Sequence, residues 1–128
     1  VTLIARQLAH ADTRRERFIA ICSAFPETTI DVAREHIAIR IRKKIYAYYV
    51  FDHHDDGKIA IWCKSTMSDQ QQLIRDDPEV FFKPPYVGPR GWVAMRLDTP
   101  DVEWNTVREL VLRAYQESAP RKLAALAK

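Results

Sequence analysis

The apolar positions of this chain follow two different periods. Phe18, Ile21, Cys22 and Phe25 recur at helical spacing. Ahead of them, Thr13-Arg14-Arg15-Glu16 places a hydroxyl three residues before an acid, the capping-box pattern. Pro26 stops the pattern, so a first helix is predicted over about residues 13–24, with a basic outer side. Beyond it the period falls to two. Ile37, Ile39 and Ile41 alternate with Ala38, Arg40 and Arg42. Ile45, Ala47, Tyr49 and Phe51 alternate with Lys44, Tyr46, Tyr48 and Val50, and Ile59, Ile61 and Cys63 with Ala60, Trp62 and Lys64. These runs are rich in β-branched and aromatic residues and read as strands, preceded by a shorter one near Thr29–Ala33.

The turns between them fit hairpins. Asp56-Gly57 is a turn signal, and Lys43-Lys44 marks a tight reversal without glycine. Ser68-Asp69-Gln70-Gln71 reads as a second capping box, opening a short helix to about Asp77. "GWVAMRLD" gives a last strand, with Val93, Met95 and Leu97 on one side and Trp92, Ala94 and Arg96 on the other. Thr99-Pro100 is expected to cap a long helix carrying Trp104, Val107 and Val111, and Pro120 separates it from a short final one. The order helix, strands, helix, strand, helix, helix predicts an α+β fold, a single antiparallel sheet with helices packed on one face.

Composition adds limits. The chain of 128 residues fits one domain, expected over residues 13–128, after an N-terminal extension (1–12) that is either partly disordered or foreign to the domain. Two cysteines, both on apolar faces, make no disulfide framework and suit a reduced, cytoplasmic protein. There is no apolar run long enough for a membrane span. A formal net charge of +3 permits polyanion binding without requiring it.

The chemistry-bearing motifs are few. No P-loop, GxGxxG or GxSxG occurs, and no catalytic residue set is identified. "DHHDDG" offers imidazoles and carboxylates, but a turn tip does not converge them, so neither metal nor cofactor is expected. His36 lacks a nucleophile beside it, and Ser65, Thr66 and Ser68 are accounted for by capping. If the aliphatic rows face the helices, the other sheet face carries Arg40, Arg42, Lys44, Tyr46, Tyr48, Trp62, Lys64, Trp92 and Arg96. Cations meet phosphates and aromatic faces stack on bases, so this mixture suits nucleic acid; it equally suits a solvated face or an aromatic protein interface. The segment "FFKPPYVGPRGWVAMRLD" is stiffened by Pro84, Pro85 and Pro89. It is either a rigid connection with Tyr86 and Trp92 packed at the sheet edge, or a loop presenting Lys83, Arg90 and Tyr86 to a ligand.

"AFPET", "HIAIRIRKKIYAYYVFDHHDDGKIAIWCKS", "FFKPPYVGPRGWVAMRLD" and "VRELVLRAYQESAPRKLA" together resemble the MmcQ/YjbR family, over nearly the whole chain after Thr13. The resemblance implies a CyaY-like (frataxin-like) arrangement and DNA binding through a double wing of strand hairpins. Frataxin-like proteins bind iron through an acidic first helix. Here that helix reads "TRRERFIAICSAF", three arginines to one glutamate, so iron binding is not carried over. The functional expectation is non-catalytic nucleic-acid binding by an open sheet face. Arg40, Arg42, Lys44 and Lys64 would meet phosphates, Trp62 and Trp92 would stack, and Lys83 and Arg90 would add contacts from the stiff loop. The alternative is a protein- or small-ligand-binding domain using the same aromatic surface. The chain is expected to act as a monomer or homodimer away from membranes.

Overall fold

The structure, a computed structural model, describes residues 13–33, 36–51 and 57–127. The expected extension (1–12) and the Asp52–Asp56 turn lie outside the described residues. Six strands form one antiparallel sheet: β1 (Thr28–Val32), β2 (His36–Ile41), β3 (Lys44–Phe51), β4 (Ile59–Cys63), β5 (Phe81–Phe82) and β6 (Val93–Arg96). Their spatial order is β1-β2-β3-β4-β6-β5, so β6 enters between β4 and the two-residue edge strand β5. The helices are α1 (Thr13–Ser23), α2 (Met67–Asp76), α3 (Trp104–Ser118) and α4 (Arg121–Leu126). The element order and the α+β class are those the periodicity predicts.

The inner sheet face packs against α1 and α3. Ile37, Ile39, Ile41, Ile61, Val93 and Met95 meet Phe18 and Cys22 of α1 and Val107, Val111 and Ala114 of α3. The layers are also joined by polar contacts. Tyr115 Oη donates to the Pro26 carbonyl at 2.8 Å, and Arg14 donates to the Leu97 carbonyl at 2.8 Å. Phe25 stacks on Tyr115 at 5.3 Å between ring centroids. Each closes a contact between residues far apart in sequence, where hydrophobic burial alone leaves register free.

Three local expectations are corrected. Tyr46 was expected on the outer face, but the β2–β3 register shifts between Ile39 and Arg40: Ile39 pairs with Ala47 and Arg40 with Ile45. Tyr46 is the extra residue, and this bulge turns it inward while Ile45 turns outward. Its ring is wholly buried, edge-on to Tyr115 at 5.5 Å, and its hydroxyl shares a 2.8 Å hydrogen bond with Thr28 Oγ1. A buried phenol requires such a partner, and Thr28 supplies it from the edge strand β1, two strands away across β2. At α2, the cap is Thr66 rather than Ser68. Thr66 Oγ1 accepts from the Asp69 N–H at 3.1 Å, and Asp69 adds favourable negative charge in the first turn. The long helix α3 starts at Trp104, with Glu103 at the N-cap position and no side-chain cap bond, rather than at Thr99-Pro100. Residues 99–103 are used in crossing from the sheet to the helical layer.

Candidate anion-binding basin

The outer sheet face is not open along its length. Val50, Ala60, Trp62, Trp92 and Ala94 form a second apolar cluster there, with Ile45, Tyr48, Phe82 and Val87 packed against it. Phe82 and Val87 belong to the proline-rich segment, which folds back over this face. The expectation of two water-facing indoles is therefore corrected: Trp62 is 6% exposed and Trp92 4%. Burying an indole's large apolar area outweighs leaving it in water wherever the chain can cover it. Tyr86, packed at the edge on one reading of this segment and presented outward on the other, stands 72% exposed with φ 65°.

The proline-rich segment is tied down by one buried amide. Gln70, on α2, donates from Nε2 to the carbonyls of Gly88 (2.8 Å) and Trp92 (2.5 Å). Between those residues, Gly88–Arg90 makes a single 3₁₀ turn that ends at Gly91 with φ 96°. Gly91 is required twice over. Its φ is one that L side chains rarely adopt, and a Cβ there would lie 2.9 Å from the backbone of Thr66 and Met67. The segment is thus a fixed platform, and its fixed end carries Arg90.

At this end of the sheet a concave basin of about 520 Å³ opens. Its rim is Arg40 from β2, Lys43 from the β2–β3 turn, Lys44 from the start of β3, Lys64 just after β4, and Arg90 from the 3₁₀ turn. Its floor is Ile45, Tyr48 and Trp92, and among the described residues no carboxylate lines it. The β3 bulge shapes two of these parts. It turns Ile45 into the floor, and the Tyr46 carbonyl accepts the Lys64 N–H at 3.0 Å, fixing Lys64 beside Lys44. Tyr48 is half-buried, held edge-on by Trp62 at 6.1 Å and inclined to Trp92 at 5.8 Å. Arg40 Nε sits 3.2 Å from Asp31 Oδ2, an exposed pair worth little. Among the described residues no carboxylate lies within ion-pair distance of Lys43, Lys44, Lys64 or Arg90. Like charges gathered this way repel one another, and an anion entering the basin relieves that repulsion.

Five of the eight residues the sequence singled out meet here: Arg40, Lys44, Lys64, Arg90 and Trp92. Three do not. Arg42 lies in the turn with φ 55° and pairs with Glu27 at 3.3 Å, lining a separate, more apolar depression with Ile41 and Ser118. Lys83 lays its aliphatic stem against Gly88 and does not reach the rim. Trp62 supports Tyr48 from within the cluster. Lys43 was missed as a rim residue. Its place at the tip of a two-residue reversal was the available signal, since both tip residues must project from the sheet.

Among the described residues no group of three or more His, Cys, Asp or Glu side chains is arranged to hold a metal, and no helix is long and apolar enough to cross a membrane. His36 is exposed at the start of β2, edge-on to Tyr48 at 6.0 Å. The inner face holds the shifted titrating groups. Burial pushes the Cys63 thiol up to about 12. Burial also raises Cys22 and Tyr46, Cys22 further through proximity to Cys63.

Fold and basin together define an α+β sheet protein with a cationic, carboxylate-free concavity beside a β-hairpin. The YjbR family model matches residues 23–117, and the chain belongs to that family. No curated protein matches it. Among solved structures it is similar to the Deinococcus radiodurans protein DR2400, a DUF419-domain protein, with a TM-score of 0.62 and 16% identity. That alignment covers 77% of this chain and 72% of the other, a likeness of fold.

Proposed function

We propose that the protein binds nucleic acid, without catalysis, at the basin and the β2–β3 hairpin. The observation that carries this reading is that cations from four separate segments surround one concavity with no carboxylate among its lining residues. Arg40, Lys44, Lys64 and Arg90 meet phosphates, joined by Lys43; Trp92 and Trp62 stiffen the floor beneath Tyr48. The hairpin carrying Lys43 and Lys44 is one strand pair of the kind the double-wing reading of the family requires. The two buried free thiols suit a reducing, cytoplasmic setting.

Fluorescence anisotropy with short duplex and single-stranded DNA at low salt tests the reading. Five phosphate contacts give a log–log salt slope of about −4.5 on duplex. Replacing Lys64 or Arg90 with alanine should reduce that slope by about 1 each. Arg42→Ala and Lys83→Ala, outside the rim, should leave it nearly unchanged. Absence of binding at tens of micromolar protein would overturn the proposal. Binding that ignored salt would point instead to a protein or small-ligand partner on the same surface. Light scattering at two concentrations separates monomer from homodimer.

A further inference from the structure

We infer that the basin is a terminal-phosphate site, taking a phosphomonoester at the end of a nucleic-acid strand in preference to an internal phosphodiester. This rests on the nucleic-acid reading above and narrows it.

Size is the first reason. A cube of 520 Å³ is about 8 Å on a side, whereas the major groove of B-DNA alone is about 12 Å wide. A duplex passing over the protein touches only the rim. A single nucleotide fits inside, and the volume falls within the roughly 300–1,000 Å³ usual for small-molecule sites.

The second reason is the aromatic content. Proteins that track a running single strand offer successive exposed rings, one per base. Here Trp62 and Trp92 are buried, and the rings lining the basin are Tyr48, half-buried, and the covered Trp92. One base finds a ring to lie against, and the next does not.

Charge is the third. A phosphomonoester carries roughly −1.5 to −2 near pH 7 and presents three acceptor oxygens. An internal diester carries −1 and must let the strand leave in two directions. Arg40, Lys43 with Lys44, Lys64 and Arg90 reach the basin from separate segments. Donors converging from several sides match a group with three free oxygens and one exit. The Gln70 amide that fixes Gly88 and Trp92 keeps Arg90 on that circle.

The test uses the full chain and four probes: a short single-stranded oligonucleotide with a 5′-phosphate, the same strand with a 5′-hydroxyl, a closed dumbbell duplex without ends, and a nucleoside 5′-monophosphate as competitor. The 5′-phosphate should tighten binding about tenfold, the scale of an added charge-assisted contact. The nucleotide should compete, and Lys64→Ala or Arg90→Ala should erase the difference between the two ends while Arg75→Ala, on the far end of α2, preserves it. Equal affinity for all three nucleic acids overturns the terminal-phosphate site and leaves the nucleic-acid reading standing. Binding of the free nucleotide alone keeps the phosphomonoester site but removes nucleic acid as its source. No binding of any probe removes both.

Discussion

The two faces of the sheet bury similar kinds of side chain and end in different states. The inner face is sealed by α1 and α3, and two of its phenols are hydrogen-bonded across it: Tyr46 to Thr28, Tyr115 to Pro26. The outer face has its own smaller cluster around Trp62 and Trp92, but at one end it stops at a ring of cations over a half-buried tyrosine. Both faces obey the same rule, that large apolar surfaces are covered wherever the chain can reach. Among the described residues, the outer face gathers Lys43, Lys44, Lys64 and Arg90 beside that cover with no carboxylate at ion-pair distance from them, while Arg40 pairs with Asp31. A protein spends no stability on such a cluster for packing reasons, since like charges within a short distance oppose folding. On the proposed function, the contrast separates the structural face from the one that meets a ligand.

Four changes sharpen or break that contrast. The largest effect is expected from Tyr46→Ala, which removes a fully buried ring and strands the Thr28 hydroxyl. Unfolding stability should fall by about 3–5 kcal/mol in urea titration. A loss under 1 kcal/mol would mean that the bulge does not direct Tyr46 inward.

The inner face should also fail first in alkali. Cys63 has a folded value of about 12 against 9.0 for an exposed thiol. The unfolded chain therefore loses this proton before the folded one. Stability from the neutral thiol is complete below pH 9 and declines as pH rises from 9 toward 12, with the raised Cys22 acting in the same direction. At pH 10.5 the decline from Cys63 is roughly 2 kcal/mol. Urea midpoints at pH 8 and pH 10.5 measure it, and Cys63→Ala should flatten the difference.

On the outer face, Gln70→Leu removes both hydrogen bonds that hold the 3₁₀ segment, leaving the Gly88 and Trp92 carbonyls without that donor. A cost of about 1–3 kcal/mol is expected. Because Arg90 then loses its fixed position, DNA affinity should drop with it. Unchanged affinity in a folded Gln70→Leu variant would dissociate Arg90 from the site. The smallest effect belongs to Arg42→Gly. Glycine relieves the positive φ at the turn but adds freedom to the unfolded chain and forfeits the exposed pair with Glu27. These terms offset to within about 0.5 kcal/mol.

Much of this was legible along the chain, and the failures share a cause. The strands, the inward Ile37, Ile39, Ile41 and Ile61, and the family were readable because alternation and motif order are local properties. Tyr46 was misplaced because a bulge is a relation between two strands: nothing within residues 44–51 marks where β2 will skip a residue. Trp62 and Trp92 were placed on the correct face but with the wrong exposure, because what covers them comes from the 81–91 segment. The grouping of Lys43 and Lys64, twenty-one positions apart, depends on the β3–β4 pairing and on the Tyr46 carbonyl that fixes Lys64.

By itself, the order of residues determined the elements, the layer each aliphatic row faces and the supply of cations, since periodicity and turn chemistry act over a few neighbours. The tertiary structure alone decided which cations share a basin, which rings remain touchable and where the strand register slips. Those outcomes depend on backbone hydrogen bonds and packing between segments distant in sequence, whose geometry no local pattern encodes.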